Sequence, residues 1–149
     1  MTDTQAFVDN SSRSAAELAE RYVALWNESD PDRRRRMIAE LWTEDGSHIL
    51  QPPQEMREIA ARPGLGMTAI LEARGYAAIE ARATTAYDEW VASQGLSFRP
   101  RDDAERLGDV VKFHWEAIAR DGEVFAVGLN FLVVAPDGRI VRDYTFVVG

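Results

Sequence analysis

Asn130 and Asp143 stand inside two apolar stretches, EVFAVGLNFLVV and RIVRDYTFVV, joined by the turn APDG. A polar side chain in such a stretch must find partners within the fold or face a ligand. Asn130 can donate a hydrogen bond to a carbonyl or oxyanion, and strand interiors disfavour Asn, so its presence asks for a reason. Asp143 would carry a raised pKa in an apolar cavity and could then move a proton. On the surface it would instead pair with Arg142 or Arg139. Alternation leaves both options open, because a one-residue slip of the hairpin turns Tyr144 inward in its place. The histidines, His48 and His114, are far apart and lack an H-E-x-x-H pattern, so they make no metal case. His114 shares a strand face with Lys112 and Glu116, which suits a surface or a dimer interface. There is no cysteine, and so no thiol nucleophile, disulfide or thiolate site. Nothing in the sequence calls for a cofactor. RPGLGMT (62–68) has G-x-G but no phosphate-loop lysine, and no G-x-S-x-G elbow occurs.

These residues need elements to hold them. SAAELAERYVALWNESD predicts a helix, with Ser14 and Glu17 as a capping box and Leu18, Tyr22, Leu25 and Trp26 as its apolar stripe. Residues 1–13 form a disordered or polar leader. They lack the basic and apolar regions of a signal peptide. Asp30 caps a second helix with Pro31 in its first turn. That helix carries Met37, Ile38, Leu41 and Trp42 on one side, and Gly46 ends it. Arg33–Arg36 is either an anion patch or a solvated face balanced by Glu40 and Glu44. SHILQPP is a brief or edge strand stopped by its prolines. Residues 54–70 suggest a short helix and a Gly-rich bend acting as a lid. RGYAAIEARATTAYDEWVASQG is a helix with Ile79, Ala83, Tyr87, Trp90 and Val91 inward and Gly95 as its cap. LSFRPRDD, VVKFHWEAI and the two stretches around APDG then make antiparallel strands. Trp26, Trp42, Trp90 and Trp115 sit at apolar positions, so core packing is their default, with one or two touching a cavity.

The 149 residues suit one domain with a single core, and 46% hydrophobic with 28% charged is ordinary for a globular chain. A net charge of −8 argues against nucleic acid, and the short apolar runs argue against a membrane. A cytoplasmic location is the default. The element order gives an α+β fold, a cone-shaped curved antiparallel sheet with three main helices over its concave face.

ERYVALWNESD, MIAELWTEDGSHILQP, RGYAAI and KFHWEAIARDGEVFAVGLNFLVVAPDGRI, in this order and spacing, resemble the nuclear-transport-factor-2-like superfamily, in its SnoaL-like and ketosteroid-isomerase-like branch. The resemblance covers roughly 14–148, with 54–70 as an insertion. It implies a cone with a deep apolar pocket and dimerisation through the sheet, but no single function. It places Tyr22 where isomerases keep an oxyanion-donating tyrosine. Gln51 falls where they keep the general base, and Asn130 where they keep a second, acidic donor. An amide cannot accept a proton as a base, so the isomerase mechanism is not transferable as it stands. The same alignment puts Val141, Asp143, Thr145 and Val147 on the concave side. The expectation is therefore a small-molecule enzyme working on a hydrophobic, oxygenated, polyketide- or terpenoid-like substrate. Asp143, Tyr22 and Asn130 would be catalytic, and Gln51, Trp42, His48, Tyr144 and Trp115 would contact the substrate. The alternatives are a non-catalytic ligand-binding module or a dimeric scaffold.

Overall fold

The computed structural model describes residues 2–64 and 70–149, with side chains from residue 14 onward. The Gly-rich bend expected within 62–68 therefore lies largely outside the described residues. In chain order the elements are α1 (Thr2–Asn27), α2 (Pro31–Leu41), β1 (Trp42–Leu50), α3 (Gln54–Ala60), β2 (Leu71–Arg74) and α4 (Tyr76–Ala86). A π-helical turn (Tyr87–Ala92) prolongs α4, and β3 (Ser97–Pro100), β4 (Glu105–Leu107), β5 (Val110–Ile118), β6 (Val124–Val134) and β7 (Ile140–Val147) complete the fold.

The strands form one seven-stranded sheet in the order β2-β1-β7-β6-β5-β3, with β4 also on β5. Every pair is antiparallel except β1 and β7, which run side by side in the same direction, so the open, curved sheet is mixed. The helices α1, α2 and α4 lie on its concave face. Between them Leu25, Ile38, Leu41, Trp42, Ile79, Phe113, Leu132 and Ile140 are almost wholly buried. Each such side chain contributes roughly 1.5–3 kcal/mol by leaving water.

Three local expectations change. The first helix does not start at the Ser14 box. It runs from Thr2, because no glycine or proline interrupts the chain before Asn27, and the leader is helical from Thr2 on. The second helix keeps its Asp30 cap, whose side chain accepts from Asp32 N at 3.0 Å, but it ends at Leu41 and not at Gly46. Trp42 is already extended, and β1 is a nine-residue internal strand where a brief or edge strand was expected. Its register against β7 shifts between Trp42 and Ser47, and Gly46 sits in that irregularity. A Cβ there would stand 2.9 Å from Ile140 O, so the close approach requires glycine. Gly95 does cap the α4 assembly, at φ +71°.

Candidate functional site

Strand register decides what faces inward. In the β6–β7 pair Asn130 stands opposite Thr145 and Leu132 opposite Asp143, while β5 sets Phe113 against Asn130. In the parallel pair His48 is level with Asp143. Asn130, Asp143, Thr145 and His48 therefore share the concave face, and α1 lowers Tyr22 onto them.

The five make one connected cluster. Tyr22 donates its hydroxyl to Asp143 Oδ2 at 2.5 Å. Asn130 Nδ2 donates to Asp143 Oδ1 at 2.6 Å, Thr145 Oγ1 at 2.7 Å and Tyr22 Oη at 2.9 Å. Two amide hydrogens serve three acceptors, so one is shared. Trp115 Nε1, a pure donor, reaches Asn130 Oδ1 at 2.7 Å and so fixes which way the amide points. The indole can lie there because Gly128 opposes it across the strands; a Cβ on Gly128 would come within 2.0 Å of the Trp115 ring. Thr145 donates to Asp143 Oδ1 at 3.2 Å, and His48 Nε2 lies 3.3 Å from Thr145 Oγ1 and 3.7 Å from Asp143 Oδ2.

Asn130 and Asp143 are wholly buried. Burial pushes the Asp143 carboxyl up to about 7, against the opposing pull of hydrogen bonds from Tyr22, Asn130 and Thr145 and of the Arg82 charge. Burial, and Asp143 beside it, hold the Tyr22 phenol well above its ordinary value. Burial first and Arg82 second push the His48 imidazole down to about 3, so the 3.7 Å contact with Asp143 is not an ion pair.

Above this cluster opens a cavity of about 350 Å³ whose wall is almost entirely carbon. Tyr22, Trp26, His48, Phe98, Trp115 and Thr145 line it around the cluster, and Trp90 and Phe125, both exposed, also border it, 6.2 Å apart between ring centres. Its size and apolar wall suit a small organic molecule. No carboxylate is among the lining residues.

Of the residues singled out from the sequence, Tyr22, His48 and Trp115 reach the cavity, and so do Trp26 and Trp90, which makes three tryptophans where one or two were expected. Asp143 and Asn130 lie behind its wall. Asn130 spends its whole amide on protein groups, so it is a clamp and not a free donor. Three candidates for substrate contact are corrected. Gln51 turns its Oε1 to accept from Val147 N at 3.1 Å and does not line the cavity. Trp42 is sealed in the core between helices and sheet. Tyr144 faces the opposite side of the sheet, level with Phe131 and Ile49, because the register that buries Asp143 must turn its neighbour outward. His114 is outward as expected, its Nδ1 2.6 Å from Asp103 Oδ2.

Sequence reasoning missed Arg82, Phe98 and Phe125, and gave Thr145 no role. Thr145 carried a signal, the two-residue step from Asp143. Arg82 carried almost none, being one cation on the flank of an alanine-rich helix. It donates from Nη1 to His48 O at 2.9 Å, lies 3.0 Å from His48 Nδ1, and has no carboxylate within ion-pair reach among the described residues.

No protein-family model and no curated protein matches the sequence. Solved structures do resemble the fold. A putative isomerase of the SnoaL-like family from Agrobacterium tumefaciens str. C58 superposes with a TM-score of 0.73 at 23% identity, covering 92% of this chain and 99% of the other. A putative polyketide cyclase from Sinorhizobium meliloti gives 0.56 at 14% identity, covering 87% and 94%. A protein of unknown function from Exiguobacterium sp. 255-15, described as NTF2-like, gives 0.56 at 17% identity, covering 88% and 98%.

Proposed function

We propose, for a chain that has the nuclear-transport-factor-2-like fold, that the cavity takes a hydrophobic, oxygenated small molecule and polarises one of its oxygens by proton donation. The observation that carries this is a buried carboxyl, Asp143, hydrogen-bonded to the hydroxyls of two residues that line the cavity, Tyr22 and Thr145, and pushed up to about 7 by its burial. When Asp143 is ionised, Tyr22 spends its hydrogen on it. When Asp143 holds a proton, the bond reverses: the acid donates to the Tyr22 oxygen, and the phenol hydrogen turns to the guest. A carbonyl oxygen then takes the hydrogen from Tyr22 while a solvent molecule takes the α-hydrogen, Tyr22 recovers one from Asp143, and the proton held by solvent returns to the carboxyl. Such positioned proton transfer contributes about 10²- to 10⁴-fold.

Exchange of α-hydrogens in D2O tests this without knowledge of the natural substrate. Flat hydrophobic ketones such as 1-tetralone should exchange faster with the protein than in buffer, the rate falling as pH rises through about 7. Asp143→Asn and Tyr22→Phe should lower it by about 10²-fold or more, with tryptophan quenching by the bound ketone retained. Unchanged exchange in Asp143→Asn would remove the carboxyl from the mechanism.

A second function has its own support: Asp143 does not itself touch the cavity. Ketones that bind with no faster exchange would make the protein a ligand-binding module. For the oligomer we propose a pair of copies joined by the outer sheet face, where Leu129, Phe131, Tyr144 and Phe146 gather.

A further inference from the structure

The imidazole of His48 borders the cavity between the cluster and Arg82, and what it can offer a guest depends on which ring nitrogen holds the hydrogen. A guanidinium has donors only. Arg82 Nη1 lies 3.0 Å from His48 Nδ1 and is anchored by His48 O at 2.9 Å and Leu71 O at 3.3 Å. Two hydrogens thus serve three acceptors from a fixed position, and Nδ1 can meet them only with its lone pair. The hydrogen of the neutral ring is left on Nε2. That nitrogen faces Thr145 Oγ1 at 3.3 Å and Asp143 Oδ2 at 3.7 Å, both long for a strong bond, so the donor is underused.

We infer that Arg82 is a positioning residue: by occupying Nδ1 it holds His48 as the neutral Nε2–H tautomer, so that the ring meets a guest oxygen as a hydrogen-bond donor and never as a base. The inference deepens the proposed use of the cavity and rests on it for its consequence. With Arg82 in place, His48 Nε2–H adds a donor beside the Tyr22 hydroxyl, which favours guests carrying an acceptor at that end. The groups facing the ring are Arg82 from α4, Asp143 and Thr145 from β7, Tyr22 from α1 and the Trp26 ring at 5.2 Å; among the charged groups, Arg82 opposes protonation and Asp143 favours it only when ionised. The very low pKa of the ring agrees with this geometry.

Long-range ¹H–¹⁵N spectra of the ring nitrogens, recorded on the full chain from pH 5 to 9, test it with no substrate present. His48→Gln assigns the signals, since His114 is the only other histidine. In the wild type His48 Nδ1 should keep the shift of an unprotonated nitrogen and Nε2 that of a protonated one across the range. Arg82→Met should draw the two shifts together, as the ring hydrogen divides between Nδ1 and Nε2, and Arg82→Lys should restore the separation. A wild-type His48 that carries its hydrogen on Nδ1, or titrates near pH 6.5, would overturn the inference, as would an Arg82→Met spectrum with unchanged ring shifts. The wild-type spectrum decides even if Arg82→Met does not fold. Absence of ketone exchange would count against the proposed function and leave these spectra untouched.

Discussion

Asp143 and His48 are neighbours whose burial has opposite effects on stability. Asp143 is pushed up to about 7 from an ordinary carboxylate value of about 3.9, so between those limits the folded chain keeps a proton that the unfolded chain has lost. Its contribution to stability therefore falls as pH rises from about 4 to 7, by at most about 1.4 kcal/mol per pH unit. His48 is pushed down to about 3 from about 6.5, so over that window the unfolded chain binds the extra proton and stability rises with pH at the same limiting slope. The two slopes offset each other from about pH 4 to 6.5. Urea titrations across that range should show His48→Gln with a slope more negative than the wild type and Asp143→Asn with a slope more positive, each by up to about 1.4 kcal/mol per pH unit. A pair of variants parallel to the wild type would mean that neither group is held off its ordinary pKa. The sequence made Asp143, Asn130 and Tyr22 legible as polar or chemically capable groups at apolar positions. It could not place Gln51 or Tyr144, because a strand residue's face depends on register and register depends on distant partners.

The elements themselves were mostly legible, and two of the exceptions, the end of α2 and the extent of β1, share one cause. Helix and strand periodicities were clear where one side only is buried, as in α4 and β5. At LWTEDG they conflicted: Ile38 and Trp42 fit a helical stripe, yet Trp42 pairs with Ile140 as the start of β1. Tertiary pairing outweighed local spacing there, and no pattern within the segment announces it. Gly128 is the other silent instruction. In sequence it is one glycine in an apolar strand, but it is the gap into which Trp115 lays its indole to reach Asn130. Gly128→Ala should force that ring away, at a cost of roughly 1–3 kcal/mol for overpacking. The indole N–H resonance of Trp115 should lose its hydrogen-bonded shift. A variant as stable as the wild type, with that resonance unmoved, would show that the strand has room for a side chain.

At the scale of the whole molecule, the proposed pairing of two copies rests on the outer, apolar face of the sheet. Phe131 and Phe146 lie edge to face at 5.9 Å, and Phe146 is 40% exposed. Phe146→Arg should shift a two-copy species towards one copy in sedimentation equilibrium while leaving ketone binding intact, and a wild type that sediments as one copy at micromolar concentration would remove the proposed pair. No helix among the described residues is long and apolar enough to cross a membrane. The parallel pairing of β1 with β7 has one more effect, on the order in which the molecule can come together. Thr145 and His48 are 97 residues apart in the chain. On the ribosome, β1 emerges early with one edge unclaimed, and closing so long a loop is entropically slow. The strand that completes that edge is the same one that delivers Asp143, so the chemistry of the cluster cannot exist before those two distant strands have met.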